Sequence, residues 1–247
     1  MADHYAVLQE LGLTPLWRLR ARSPDVLTVP AARGQPAGEV APAERMARIA
    51  ALSWADFATD VSACTACALC KTRQRAVPGV GDPRAQWLFV GEAPGAEEDA
   101  KGEPFVGQAG RLLDNMLTSL GMKRGENVYI ANVLKCRPPG NRAPTPPESE
   151  ACRPYLDRQI ALIEPTLIVA LGKSAATTLL NVEASIASLR GRVHRYRGVP
   201  LIVTYHPAYL LRSLPDKAKA WEDLCLARAT MRTAQVADLQ RLPAAPK

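Results

Sequence analysis

Four short apolar runs recur along the chain, at 86–90 (Q-W-L-F-V), 128–134 (V-Y-I-A-N-V-L), 166–171 (T-L-I-V-A-L) and 200–205 (P-L-I-V-T-Y). Each is too short for a helix and lacks polar alternation, which is the pattern of a strand buried on both faces. Apolar positions at helical spacing fill the intervals, over 108–120, 147–163 and 173–180, and a last helical pattern covers 216–235. Strands alternating with helices predict an α/β fold, a doubly wound parallel sheet with helices on both faces. Ser53, followed by Asp56, reads as an N-cap that starts a helix running toward Cys64. The basic stretch Arg190 to Arg197 before the fourth strand is a candidate hairpin.

The pattern is weaker upstream. Residues 1–22 hold an apolar cluster (Tyr5, Val7, Leu8, Leu11, Leu13, Leu16, Trp17, Leu19), expected to dock on the core or on a protein partner. The following stretch is rich in Pro, Ala and Gly without periodicity, which reads as a linker. The expected organisation is an N-terminal segment at 1–22, a Pro/Ala-rich linker at 23–52, one domain at 53–235 and a tail at 236–247.

Composition adds bounds. With 247 residues, 47% hydrophobic and 22% charged, the chain can bury a sizeable core. No apolar run reaches the roughly 20 residues of a membrane span, and no secretory leader pattern opens the chain, so a cytoplasmic protein is expected. Of the net charge of +7, residues 1–52 contribute six Arg against five acids, so the excess belongs to the downstream domain. That points mildly to a polyanionic partner.

Six cysteines stand at 64, 67, 70, 136, 152 and 225. Cys64-x2-Cys67 and Cys67-x2-Cys70 both have the spacing that converges two thiolates on one centre, and Cys136 with Cys152 offers a second pair. In a reducing compartment such a set suits zinc or an iron–sulfur cluster, and spacing does not separate the two. One of Cys64 and Cys70 is surplus to four ligands. Cys225, inside the last helical pattern, reads as a buried structural thiol. The L-G-K-S at 171–174 lacks the first glycine of a phosphate-binding loop, and Lys173 and Ser174 are expected to open a helix.

Three polar elements follow strand ends, where open α/β sheets place their ligands. The first is the glycine-rich loop from Gly91 to Gly107, with Glu92, Ala93, Gly95 and Phe105. The second is Asn132 with K-C-R-P-P-G-N-R at 135–142, and the third is H-P-A-Y-L-L-R at 206–212. Asn presents a donor and an acceptor side by side, suited to a nucleobase edge. Phe stacks on a base face, and His donates to developing negative charge. Taken singly, Asn132 as a turn cap, Phe105 as core and His206 as a satisfied buried histidine are the duller readings.

The combination C-x2-C, G-E-A-P-G-x-E-E-D, G-x-P-F-V-G-x-A-G, N-V-x-K-C-R-P-P-G-N-R and H-P-x-x-x-L-R closely resembles family 4 uracil-DNA glycosylases, from about Ala63 to Arg212. The resemblance implies a three-layer α/β/α sandwich around a four-stranded parallel sheet, a [4Fe–4S] cluster, and hydrolytic release of uracil from DNA by a monomer. It places Cys64, Cys67, Cys136 and Cys152 as cluster ligands and leaves Cys70 out. Uracil would be flipped into a pocket formed with Gly91, Ala93 and Gly95, stacked on Phe105 and read by Asn132, while His206 stabilises the departing uracil anion. Leu210 or Leu211 would wedge into the duplex. Backbone N–H groups around Gly95 and Gly107–Gly110, with Lys135, Arg137, Arg142 and Arg212, are candidates for phosphate contacts.

Activation of water is the open role. Ala93 stands where family 1 enzymes carry a catalytic Asp, which makes Glu92 the candidate, either ordering water or stabilising the sugar cation, with Asn141 as the second candidate. A covalently trapping relative carries Gln at the position of Ala93 and a basic loop ending in His. This chain has neither, so turnover is expected. The competing reading is a metal-stapled nucleic-acid-binding module without catalysis.

Overall fold

The computed structural model describes residues 42–241 as secondary structure and connecting loops. Six strands form one sheet in the order β1-β3-β2-β4-β6-β5. They are β1 (Val80–Gly81), β2 (Trp87–Gly91), β3 (Val128–Asn132), β4 (Leu167–Leu171), β5 (Val193–Tyr196) and β6 (Val199–Thr204). The four expected strands are β2, β3, β4 and β6, and they pair in parallel. Two short edge strands extend the expected four-stranded sheet to six: β1 pairs antiparallel with β3, and β5 pairs antiparallel with β6 as the Arg190–Arg197 hairpin.

Strand alternation explains the three layers. Leu88 and Val90 of β2 face one way, with Ala131, Ile168, Ala170, Leu201 and Val203. They pack on α5 (Pro146–Ile163), through Leu156 and Ile160, on α6 (Lys173–Leu180), through Ala176 and Leu179, and on the short α7 (Ile186–Leu189), through Leu189. Trp87 and Phe89 face the other way and meet Leu113 and Leu117 of α4 (Gln108–Ser119) and Leu224, Ala227 and Met231 of α9 (Asp216–Arg241). Successive side chains point to opposite faces, so each central strand is buried throughout. The loops after β2 and β4 lead to helices on opposite faces. The crevice between those strand ends is the switch point at which such sheets bind ligands.

The expected linker at 23–52 needs correcting at its end. Residues 42–50 form helix α1 (Pro42–Ala50). Only Met46 and Ile49 give its second half an apolar character beyond alanine, which hides it in the sequence. It is held by burial of Ile49 against Phe57, Val61 and Tyr155, by the Arg48–Asp60 ion pair, and by the Arg45 guanidinium 5.3 Å over the Tyr155 ring. Ser53 caps α2 (Trp54–Ala63) as expected, accepting the Asp56 N–H. The final helix runs on from 235 to Arg241. The expected N-terminal segment at 1–22 and residues 242–247 lie outside the described residues.

Candidate active site and cysteine centre

A cleft of about 470 Å³ opens at the strand ends and collects residues from all three polar elements. Glu92, Ala93, Gly95 and Phe105 come from the loop after β2, and Asn132 from the last position of β3. Asn141 and Arg142 come from the following loop, and His206 and Arg212 from the segment after β6.

The loop after β2 is held by its own acids. Glu98, in the first turn of α3 (Ala96–Lys101), accepts the N–H groups of Gly95 at 3.1 Å, Val106 at 2.9 Å and Gly107 at 3.2 Å. One carboxylate therefore closes both ends of the loop onto a helix N-terminus, where negative charge is favoured. Two of those N–H groups, Gly95 and Gly107, were expected phosphate contacts, and they are already satisfied. Asp99 is buried and accepts the Gln74 N–H at 2.9 Å, tying the same turn to the segment after Cys70.

Phe105 occupies a left-handed conformation (φ 54°) and lies at 5.4 Å and 29° to the His206 ring. Two glycines make room for it. A Cβ on Gly91 would stand 2.6 Å from Phe105 Cζ and 2.4 Å from Asn132 Oδ1, and one on Gly110 would stand 1.7 Å from the Phe105 carbonyl oxygen. Those glycines are required by close approach.

Asn132 is buried, and its Oδ1 has no hydrogen-bond partner among the described residues. An orphaned buried amide oxygen at the wall of a cleft is a group waiting for a ligand donor. Asn132 is also anchored from behind. The Lys135 ammonium, fully buried, donates to the Asn132 carbonyl at 2.9 Å and to Gln159 Oε1, and Gln159 donates to Pro78 O at 2.7 Å. Burial pulls the Lys135 pKa down to about 8. Lys135 is therefore an internal brace, which corrects its expected role as a phosphate contact.

His206 caps the short helix α8 (Pro207–Leu210): its Nδ1 accepts the Ala208 N–H at 3.1 Å. Nδ1 is thus an acceptor, and the proton of the neutral ring belongs on Nε2. Burial, aided by the Arg212 charge and opposed by Glu98, lowers the ring's pKa to about 4, so it is neutral at physiological pH. Glu92 accepts a hydrogen bond from the Ser174 hydroxyl, which fixes its carboxylate from the start of α6. Ser174, expected only to open a helix, is thus a support of the site. Nothing local in the sequence announces the pairing, since it spans 82 residues.

The remaining candidates divide. Asn141 (φ 56°) accepts from Arg137 Nε at 2.7 Å, and both belong to the loop beyond Cys136. Arg142 is committed to a two-pronged pair with Glu148, which holds the Glu148 carboxyl at about 2 and leaves the arginine less free for phosphate. Of the two candidate wedges, Leu210 is 1% exposed and packs with Tyr205 and Ala220, whereas Leu211 is 39% exposed. Leu210 is core, and only Leu211 remains available as a wedge.

The cysteines of the expected centre meet. Cys64, Cys67, Cys70, Cys136 and Cys152 wall one cavity, while Cys225 lies in α9 away from it. Among the described residues no three His, Cys, Asp or Glu side chains close on a single metal ion. The sulfurs surround a shared space instead, and N–H groups face them: Arg73 to Cys136 at 2.9 Å, Lys135 N to Cys152 at 3.3 Å and Arg45 to Cys64 at 3.5 Å. Burial pushes the Cys152 thiol up to about 12, and it pushes Cys136 up against the pull of Arg73. At Cys64 burial also acts upward, but hydrogen bonds from Ala66 and Arg45 prevail and the pKa falls. An all-sulfur donor set ringed by N–H donors and cations fits a polynuclear cluster of net negative charge.

The fold and cleft define an α/β protein with a ligand site at its strand ends, and comparison with known proteins places it. Residues 78–225 match the uracil DNA glycosylase superfamily, to which the chain belongs. Within that superfamily the chain is 49% identical over 164 residues to the type-4 uracil-DNA glycosylase of Archaeoglobus fulgidus, covering 63% of this chain and 82% of the relative. It is 48% identical over 161 residues to the type-4 enzyme of Thermotoga maritima, covering 64% and 83%. The type-5 uracil-DNA glycosylase of Thermus thermophilus is less similar, 34% identical over 155 residues, covering 53% and 68%. The family 4 resemblance of the motifs therefore extends along the domain.

Proposed function

We propose that the protein is a DNA repair hydrolase that flips uracil from DNA and cleaves its N-glycosidic bond, leaving an abasic site. The observation that carries this reading is the buried, unpartnered Asn132 Oδ1 beside a neutral His206 in one cleft. Uracil N3–H is a donor that Asn132 Oδ1 can accept, and the Asn132 amide N–H group can donate to O4. Cytosine presents the opposite pattern on that edge, an acceptor at N3 and a donor at N4, so the same amide orientation rejects it.

The chemistry follows from charge. As the glycosidic bond lengthens, positive charge grows on the sugar and negative charge on the uracil oxygen. His206, neutral and with Nε2–H as its donor, meets the developing anion without first losing a proton. Glu92, held by Ser174, serves the sugar side, either by ordering the attacking water or by stabilising the cation. Asn141 lies on an exposed loop and is engaged by Arg137, which supports Glu92 over Asn141 for the water. Phe105 supplies the stacking face, and Arg212 an exposed cation at the rim. DNA meets the mouth of the cleft at Arg212, in keeping with the charge excess of the domain.

Cys64, Cys67, Cys136 and Cys152 would hold a [4Fe–4S] cluster. When bound, it supplies a staple that joins the segment before β1 to the loop after β3 and α5. Loss of the visible iron–sulfur absorption in Cys136→Ala, with loss retained after iron and sulfide reconstitution, tests the ligand set. Persistence of that absorption would remove Cys136 from it. The function itself is tested with an oligonucleotide containing one uracil. The expected result is an alkali-sensitive abasic site at that position, and intact DNA after incubation with the cluster-loaded protein would sink the reading.

A further inference from the structure

We propose that Asp216 is a positioning residue that clamps the wedge-bearing turn, and that it serves excision from duplex DNA in particular. The proposal rests on the glycosylase reading above and assigns a role to a carboxylate outside the cleft. The turn runs from Tyr209 to Asp216, and hydroxyls from both sides of the wedge, Tyr209 and Ser213, meet on that one side chain. Asp216 Oδ2 accepts the Tyr209 hydroxyl at 2.6 Å and the Ser213 hydroxyl at 2.8 Å, while Oδ1 takes the Lys219 ammonium at 2.8 Å. Its own N–H donates to the Ser213 carbonyl at 3.2 Å. The carboxylate is 12% exposed and has an ammonium and two hydroxyl donors, so it is both desolvated and satisfied.

What the clamp encloses is the reason to assign it a role. Tyr209 and Ser213 bracket Leu211 and Arg212. Leu210 points inward to the core and Tyr209 stacks on Tyr205 at 5.1 Å, so the inner side of the turn is fixed by packing. The outer side carries Leu211 and, just beyond, Leu214, which is 62% exposed. Backbone hydrogen bonds from the Leu211 N–H to Pro207 O and from the Arg212 and Ser213 N–H groups to Tyr209 O close the turn, and the Asp216 carboxylate is the side chain that ties its outer side to α9.

A wedge works by occupying the space a departing base leaves in a stacked duplex. If the turn were loose, its ordering entropy would fall due at the moment of insertion, when unstacking is already unfavourable. A turn pre-formed by Asp216 has met that requirement on folding. Single-stranded DNA has no opposite strand to re-close the gap and only a weaker stack, which is less costly to open. The clamp should therefore matter for duplex uracil and not for single-stranded uracil. A residue that merely stabilised the fold would affect both substrates alike.

The test compares single-turnover excision by wild-type protein and Asp216→Ala on the same uracil sequence as a duplex and as a single strand. A 2-aminopurine beside the uracil reports unstacking by fluorescence. The expected result is a duplex rate lowered by on the order of 10²-fold, as for a displaced positioning group, with a weaker fluorescence rise and a single-strand rate close to wild type. Asp216→Asn, which keeps an acceptor but loses the charge that binds Lys219, should fall between. An equal loss on both substrates, or an unchanged duplex rate, overturns the clamp. If Asp216→Ala does not fold, Ser213→Ala carries the same comparison, because it removes one hydroxyl donor and leaves the carboxylate. Wild-type protein that excises uracil from neither substrate fails the glycosylase reading itself, which separates the two outcomes.

Discussion

Replacing His206 tests the leaving-group argument quantitatively. In His206→Ala the cleft loses a neutral donor whose orientation is already set by the Ala208 N–H on Nδ1. A preorganised donor aimed at developing oxyanion charge is worth about 3–4 kcal/mol, or 10²–10³ in the rate of the chemical step. The same substitution removes the ring stacked against Phe105, a loss of about 0.5–1.5 kcal/mol of stability that should appear in urea unfolding. The pH dependence is the sharper arm. Burial holds the ring's pKa at about 4 against an ordinary 6.5, so His206 contributes no titration to the single-turnover rate between pH 5 and 8. The sign for stability is opposite to that of a salt-bridged histidine. Above pH 6.5 the ring is neutral folded and unfolded. Between 6.5 and 4 the unfolded chain binds a proton that the folded chain refuses, so stability falls with pH by roughly 3 kcal/mol across that window. An acid limb in the rate centred near 6.5 that disappears in His206→Ala would refute the neutral-donor account. So would a loss of less than about tenfold in the variant.

Other substitutions probe the supports. Glu98→Ala leaves three N–H groups without their acceptor and should lower unfolding free energy by roughly 2–4 kcal/mol, with weaker excision because the loop carrying Gly95 and Phe105 is released. Leu210→Ala should destabilise the fold by about 2–5 kcal/mol in chemical denaturation, whereas Leu211→Ala should leave stability unchanged and slow excision from duplex DNA. Arg212→Ala should reduce the slope of log binding constant against log salt by about 1, and Lys135→Met should leave that slope unchanged because its ammonium never reaches solvent.

The central strands were legible because β2, β3, β4 and β6 are covered on both faces and so read as unbroken apolar runs. β1 is two residues long and presents no pattern at all. Helix α1 escaped notice because much of what holds it is Arg45 and Arg48 meeting Tyr155 and Asp60, pairings that span the chain. Within the site, Glu92, Phe105, Asn132 and His206 could be named from strand ends and motifs, and all four line the cleft. Lys135 was misjudged for a physical reason: a lysine among arginines reads as a phosphate contact, and only the arrival of Gln159 from α5 shows it to be internal. Ser174 binds a carboxylate 82 residues away, which leaves no local signature, whereas Glu98 closes a capping box on Gly95 only three residues before it. Adjacent leucines 210 and 211 differ only by the phase of α8, which composition does not carry.

The most direct measurement is the intact mass of a uracil-containing DNA strand before and after incubation with the cluster-loaded protein. Hydrolysis of the glycosidic bond predicts an unbroken strand that has exchanged uracil for a hydroxyl group, with free uracil recovered in equal amount and the protein turning over. An unchanged strand mass, or DNA trapped on the protein as a covalent adduct, would contradict the account.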